Sequence, residues 1–505
     1  MATPHEKLAA SLEALQRAQK GNVVRSSSIS RIHRERLVKN GFLMEVVKGW
    51  YIVTRPTQNE GGSTPWFASY WLFIAEYLND RFGDDYCLSS ESSLRIHTGA
   101  TVVSGQLIVI TQKKGTQTLQ LPFETSLLIY QDSKNLPAGR VKLNDIWVMD
   151  IQTALCKASP SYFKQNPSDA ELALRMVRDS SDILRVVLET GCVSGAGRMA
   201  GAYEFLKEEQ MSSRIIAGMA AGGYHIKALN PFENTAPFLA AGVRIQSPYV
   251  GRIQAMWNAM RAEVADSFPP PPGMPRDHLE YMRRIDEIYV DDAYNSLSIE
   301  GYQVTHELIE QIRDGKWNPD GNESDRQQRN ALAAKGYNLA FKSVKESISK
   351  ILEGKIPAEV VASDQHEWYF QMFSPSVQSG IFKPADLAGY RDQQVFINGS
   401  KHVPLPKSAV IDSMEAFFDL LGNEAHAGVR AVMGHFIFVF IHPYMDGNGR
   451  IGRFLMNAMF ASGGYPWTII RMDRRKQYMA ALETASTENK ITDLAKFICQ
   501  EMDSK

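Results

Sequence analysis

The stretch HPYMDGNGRIGR, residues 442–453, gathers one imidazole, one carboxylate, two guanidiniums and three glycines into one short span. Pro443 disfavours helical geometry at His442, so a helix running up to this point must end there and present the imidazole at its tip. Asp-Gly-Asn-Gly, residues 446–449, supplies positions that tolerate positive φ. Successive backbone N–H groups can then face one concavity, a nest for an anion. A second helix starting near Asn448 adds the positive end of its dipole. Arg450 and Arg453 lie three apart on its first turn, where cations oppose the dipole; a bound polyphosphate would resolve that conflict. Asp446, set among these positive groups, suits a metal ion that bridges to phosphate. Together these groups fit phosphoryl or nucleotidyl transfer.

Two other sites leave similar traces. Gly447, Gly449 and Gly452 match G-x-G-x-x-G, HFIFVFI could be the strand before it, and WTIIRMD a second strand ending at Asp473. A dinucleotide fold, however, needs the glycines directly after the strand, and His442 to Asp446 intervene. Too little chain follows Asp473 to complete the sheet, and 425–441 reads better as one buried helix. A calcium loop starting at Asp446 would place Arg450 and Asn457 at positions that need oxygen ligands, which removes that reading.

HPYMDGNGRIGR resembles the signature of the Fic family, HPFxDGNGRxxR, with Tyr444 in place of the usual Phe. That buried ring must find a partner for its hydroxyl. The resemblance implies an all-helical domain over about 278–501 and a role for each residue. His442 is the general base, Asp446 holds Mg2+, and Gly447, Asn448 and Gly449 form the nest for the α- and β-phosphates of ATP. Arg450 lies on the β-phosphate side and Arg453 holds the γ-phosphate. The loop lacks the lysine of the phosphate-transferring branch, which favours transfer of AMP to a protein hydroxyl. In RDQQVFINGSKHVPLP, Val395, Phe396 and Ile397, then Asn398-Gly399, then 400–403 read as a β-hairpin with a type I′ turn. That hairpin is similar to the family flap that docks a target segment by strand addition. Ser296, Glu300 and Gly301 in NSLSIEG are similar to the family's inhibitory motif, in which Glu300 pairs with Arg453 and takes the place the γ-phosphate needs. His435, seven residues before His442, is expected to be a buried support for the helix end rather than a second catalytic group.

The rest of the chain must carry and surround this site. Helices are expected over 278–296, 325–352, 364–373, 407–420, 425–441, 449–462, 474–486 and 491–501. The fold class is mainly α: an all-helical Fic domain with a hairpin flap, preceded by a winged-helix-like domain and an α/β domain. The expected divisions are 1–60, winged-helix-like; 61–230, α/β and antitoxin-like; 231–276, a helical connector with the stiff linker FPPPPGMPRD; and 277–505, the Fic domain with an inhibitory helix over about 290–301. Residues 6–19, a basic helix capped by Ser28 or Ser30 and ending near Asn40, and a hairpin turning at Lys48-Gly49 resemble the N-terminal module of abortive-infection-type antitoxins. Small residues in SGAGRMAGAYEF point to close helix packing, and His97 is isolated and structural.

The net charge of -1 favours no anionic partner, with 44% hydrophobic and 22% charged residues in an ordinary globular range. Residues 1–55 nevertheless hold ten Lys/Arg against four Glu. That excess points to local contact with an anion such as DNA. The four cysteines are far apart, which fits a reducing cytoplasm. No apolar run is long enough to span a bilayer. The expected function is a self-inhibited adenylyltransferase that moves AMP from ATP to a Tyr, Thr or Ser hydroxyl of a target protein or of itself. The alternatives are removal of AMP from a modified protein, and a DNA-binding regulator with a sensory Fic domain. The resemblance also admits a homodimer.

Overall fold

Ser30 accepts a hydrogen bond from the His33 N–H and starts the basic helix Arg31–Lys39, which packs on the first helix, Pro4–Ala18. In this computed structural model of the chain the described residues are 3–503, apart from 57–61, 114, 133–135, 138, 235 and 318–324; the side chains of 325–327 are also outside the description. The expected boundary at residue 60 falls on undescribed residues.

Strands β1 (Val23–Arg25), β2 (Leu43–Val47) and β3 (Trp50–Val53) form an antiparallel sheet in the order β1-β3-β2, with a tight turn at Gly49, φ 87°. Two of the ten basic side chains of this segment, Arg34 and Arg36, are partly buried and used internally, and the other eight are exposed. Arg36 donates to the Lys7 carbonyl and to Ser11, and Arg34 to the Ser26 carbonyl. Arg31, Lys39 and Lys48 remain exposed, Arg31 beside Glu35.

Next come β4 (Tyr86–Leu88), β5 (Gln106–Thr111), β6 (Gln117–Leu121) and β7 (Thr125–Gln131), in the order β4-β5-β7-β6 with β5 and β7 parallel. β8 (Arg140–Leu143) and β9 (Ile146–Met149) pair separately. His97 is structural, its Nε2 bonded to the Met149 carbonyl at 2.8 Å. The small residues of the helix Val193–Phe205 do serve close packing, Gly195 against the helix Ile151–Lys157, where a Cβ would lie 2.8 Å from the Cys156 carbonyl oxygen, and Gly197 and Gly201 against an extended strap. Leu229 N–H donates to the Gly197 carbonyl, and a Cβ on Gly201 would lie 2.2 Å from the Leu229 carbonyl carbon.

The chain divides into two compact units: Met1–Arg252 with Phe396–Val403, and Ile253–Val395 with Pro404–Lys505. The division falls inside the helix Pro248–Ser267, not at the expected boundaries near 230 and 276. The proline-rich segment is not a free linker. Phe268 stacks on Phe460, the Tyr465 hydroxyl donates to the Pro269 carbonyl at 2.6 Å, and Gly273 N–H donates to the Gly463 carbonyl.

The second unit is helical, and most helices predicted for it form within a few residues of the expected ends; the helix expected over 278–296 is instead two, His278–Glu287 and Tyr289–Ile299, that expected over 364–373 runs from Pro357 to Gln378, and His306–Arg313 is a further helix. The run HFIFVFI lies in the helix Ala427–Ile441, buried on nearly every side. No helix among the described residues is long and apolar enough to cross a membrane.

The expected flap hairpin does not form: residues 394–404 carry no strand ladder. Ser400 N–H donates to the Ile397 carbonyl, with Gly399 at φ 78° and Asn398 outside the positive-φ region. That is a type II turn, whereas type I′ needs positive φ at both central residues; type II splays the arms. Val403 N–H donates to the Thr101 carbonyl and Gly399 N–H to Thr64, so the backbone finds partners elsewhere in the first unit.

Candidate active site

The helix Ala427–Ile441 ends at His442 in the left-handed conformation, φ 56° and ψ 60°. A non-glycine residue holds that geometry only when its surroundings impose it. His442 N–H bonds to the Phe438 carbonyl, and its Nδ1 lies 3.2 Å from the Val439 carbonyl. A carbonyl only accepts, so Nδ1 carries the proton and Nε2 keeps its lone pair. Burial pushes the imidazole down to about 4, with the Val439 bond opposing and the Arg391 charge assisting, so the ring is neutral at pH 7.

The loop behind it is closed by one side chain. Asn448 accepts from the Tyr444 N–H and donates to the Tyr444 carbonyl, both at 2.8 Å. Its amide is therefore a clasp, and only its backbone is available to an anion. Asp446 Oδ1 accepts from the Gly447 N–H at 2.6 Å, and its side chain is 54% exposed. The following helix, Asn448–Ala461, has no side-chain cap, which leaves the N–H groups of Asn448, Gly449 and Arg450 without a capping acceptor.

The three glycines have three different reasons. Gly447 sits at φ 79°, and a Cβ there would lie 2.8 Å from the Phe373 ring. At Gly449 a Cβ would be 2.4 Å from Glu300 Oε1; at Gly452 it would be 2.9 Å from the His435 ring. The third glycine thus serves the contact between two helices and not a phosphate.

Arg453 is buried, its side chain 5% exposed, and faces the helix Tyr289–Ile299. Its Nε donates to Ser296 Oγ at 2.9 Å, and its Nη2 to the Ser296 carbonyl at 3.0 Å and Glu300 Oε1 at 2.8 Å. Burial pushes the Glu300 carboxyl up, but the charges of Arg453 and Arg450 outweigh it and hold it below its usual range. Gly301, at φ 89°, stops the helix: its N–H bonds to the Ser298 carbonyl and that of Tyr302 to the Leu297 carbonyl, a Schellman ending. This ending turns Glu300 toward the uncapped helix start. Deeper supports for that helix are Asp292, bonded by Tyr337 and Trp467, and the Ile299 carbonyl, bonded by Arg475.

Arg450 is 1% exposed, stacked between Tyr302 and Phe373 at 5.2 and 5.1 Å and 3.5 Å from Asp446. Its side chain lies under the loop rather than open to solvent. Tyr444 is buried flat on Tyr369, ring centroids 3.9 Å apart, and its hydroxyl donates to Gln365 and meets His366 Nδ1 at 2.9 Å. His435 is a support, with its Nε2 2.7 Å from the Tyr478 hydroxyl and burial pushing its ring down to about 4.

The structure therefore brings together His442, Asp446, Gly447, Asn448, Gly449, Arg450, Arg453, Ser296, Glu300 and Gly301. Of the expected flap residues, Val395 falls in the second unit and Phe396 and Ile397 in the first. Sequence reasoning missed Tyr302, Phe373, Gln365 and Arg391, none of which lies in a motif.

The sequence profile of the Fic/DOC family matches residues 362–460. A protein adenylyltransferase Fic of Drosophila willistoni is 30% identical over 216 residues, 42% of this chain and 40% of that protein. One from Nematostella vectensis is 30% identical over 217 residues, 42% of this chain and 47% of that protein. The match thus spans less than half the length of these relatives. Among solved structures, a Fic-1 fragment from C. elegans superposes with a TM-score of 0.37 at 16% identity, covering 66% of this chain and 89% of that one, too loosely to bear on the fold.

Proposed function

We propose, from the premise that residues 362–460 are a Fic/DOC domain, that this chain is a self-inhibited protein adenylyltransferase. The observation that carries the reading is the neutral His442, its Nε2 lone pair free, beside an uncapped helix start that holds Arg453. In the reaction Nε2 takes the proton of a Tyr, Thr or Ser hydroxyl on a target protein or on the chain itself. The hydroxyl oxygen bonds to the α-phosphorus of ATP, the bond to the bridging oxygen breaks, and pyrophosphate leaves. The N–H groups of Asn448, Gly449 and Arg450 bind the phosphates, and Arg453 takes the γ-phosphate once Glu300 withdraws.

Asp446 is the residue that would hold Mg2+. One exposed carboxylate beside a phosphate nest fits an ion that draws most of its ligands from water and phosphate. When bound, the ion supplies neutralising charge to the phosphates. Glu300 is the brake: its carboxylate lies against Gly449 and on Arg453, where a phosphate would go.

The test uses Glu300→Gly with ATP labelled at the α- or γ-phosphate. AMP transfer incorporates only the α label, and phosphate transfer only the γ label. If wild type instead frees AMP from a modified target, removal is the activity.

A second reading concerns residues 3–56. Exposed Arg31, Lys39 and Lys48 on a helix and hairpin tip support winged-helix contact with DNA phosphates. A mobility shift that weakens steeply with salt and is lost when all three are changed to Ala supports it. No shift at low salt removes it.

A further inference from the structure

Arg391 lies 51 residues before His442 and is 5% exposed, yet among the described residues no carboxylate pairs with it. A buried guanidinium without a counter-charge is costly unless each of its donors is satisfied. Here backbone carbonyls do this. Nε donates to the His442 carbonyl at 2.8 Å, Nη1 to the Gln393 carbonyl at 2.9 Å, and Nη2 to the Leu405 carbonyl. The Arg391 N–H adds a bond to the Pro443 carbonyl at 2.8 Å.

The grips fall in two places. Three, counting a longer bond from Nη2 to the Ile441 carbonyl at 3.5 Å, hold the backbone from Ile441 to Pro443, where the chain is left-handed at His442 and Pro443 disfavours a helix. Two hold the ends of the segment 393–405, which Gln394 also closes by donating to the Pro404 carbonyl at 2.8 Å. Arg391 thus ties the backbone that carries the imidazole to the base of the segment 393–405. Lysine, with a single nitrogen, cannot span these carbonyls.

We propose that Arg391 is a positioning residue for AMP transfer, setting the His442 imidazole against the docked hydroxyl. The proposal rests on the reading of His442 as the base. Arg391 also places a positive charge near that ring, where Glu300 and Asp446 act in the opposite sense.

The test uses the full chain in the Glu300→Gly background, with Arg391→Lys and Arg391→Met. Transfer should fall about 100-fold in kcat in both variants, as for a misplaced reacting group. KM for ATP should stay within about twofold, because the nest and Arg453 are untouched. In a second measurement, the His442 ring is titrated by NMR without nucleotide. Its midpoint should rise in Arg391→Met and hold in Arg391→Lys. Equal kcat in all three proteins overturns the proposal, as does a fall in kcat that only tracks the folded fraction. An unmoved midpoint in Arg391→Met also overturns it. If no protein transfers AMP, the functional reading fails, while the ring titration still reports whether Arg391 acts on His442.

Discussion

Glu300→Gly removes a carboxylate that makes one charge-assisted hydrogen bond of 2.8 Å to Arg453. Two unit charges about 4 Å apart attract by about 4 kcal/mol at an effective dielectric of about 20. The Glu300 side chain keeps 28% of its surface, so solvent screening leaves roughly half of that, about 2 kcal/mol. That is ~30-fold in the affinity of a phosphate competing for the same guanidinium. The helix should survive the change, since residue 300 is its cap and Gly301 already supplies the left-handed stop. The expected result is at least ~30-fold more α-labelled ATP incorporated than by wild type, with ATP bound correspondingly tighter by calorimetry. Glu300→Gln should fall between the two, because the amide keeps the volume without the charge. Adding His442→Ala to Glu300→Gly should abolish labelling and leave binding nearly intact. If Glu300→Gly melts like wild type yet labels no more and binds no tighter, Glu300 is not the brake.

Other expectations concern groups apart from the brake. Transfer needs a neutral His442, and a ring depressed to about 4 loses that form only as pH falls through its folded value. The rate of Glu300→Gly should therefore stay flat from pH 8 to about 5, and an acid limb near 6.5 would contradict the buried-ring account. Tyr444→Phe restores the common motif but strips a partner from buried Gln365, so urea unfolding should show a loss of about 1–2 kcal/mol. Labelling by Tyr444→Phe in the relieved background should stay within about threefold. Gly201→Ala drives a Cβ into the backbone at Leu229, and thermal melting should show about 2 kcal/mol or more of destabilisation; an unchanged melt would mean the strap yields freely.

The parts of the site legible in the sequence are those fixed by local chemistry. Pro443 and the glycines limit φ and ψ by themselves, so the helix end at His442 and the turn into the next helix follow from residue type. The mainly helical second unit is legible too, through the family resemblance that the same loop carries. Where a side chain has a choice of partner, residue type says less. The sequence places the Asn448 backbone in the nest, but that its amide also clasps Tyr444 depends on the loop already being closed. Asn398-Gly399 is a strong hairpin signal, and it lost to bonds that the segment's N–H groups donate to Thr64 and Thr101, far away in sequence. Arg391 carried no signal, because its partners are backbone carbonyls, which every residue type has. Gly452 makes the same point from the other side. In the G-x-G-x-x-G pattern it looks like a phosphate contact, yet what demands a glycine there is the His435 ring on the facing helix. A motif therefore names residue types and backbone limits, while the side chains that hold a loop in place are chosen by tertiary geometry.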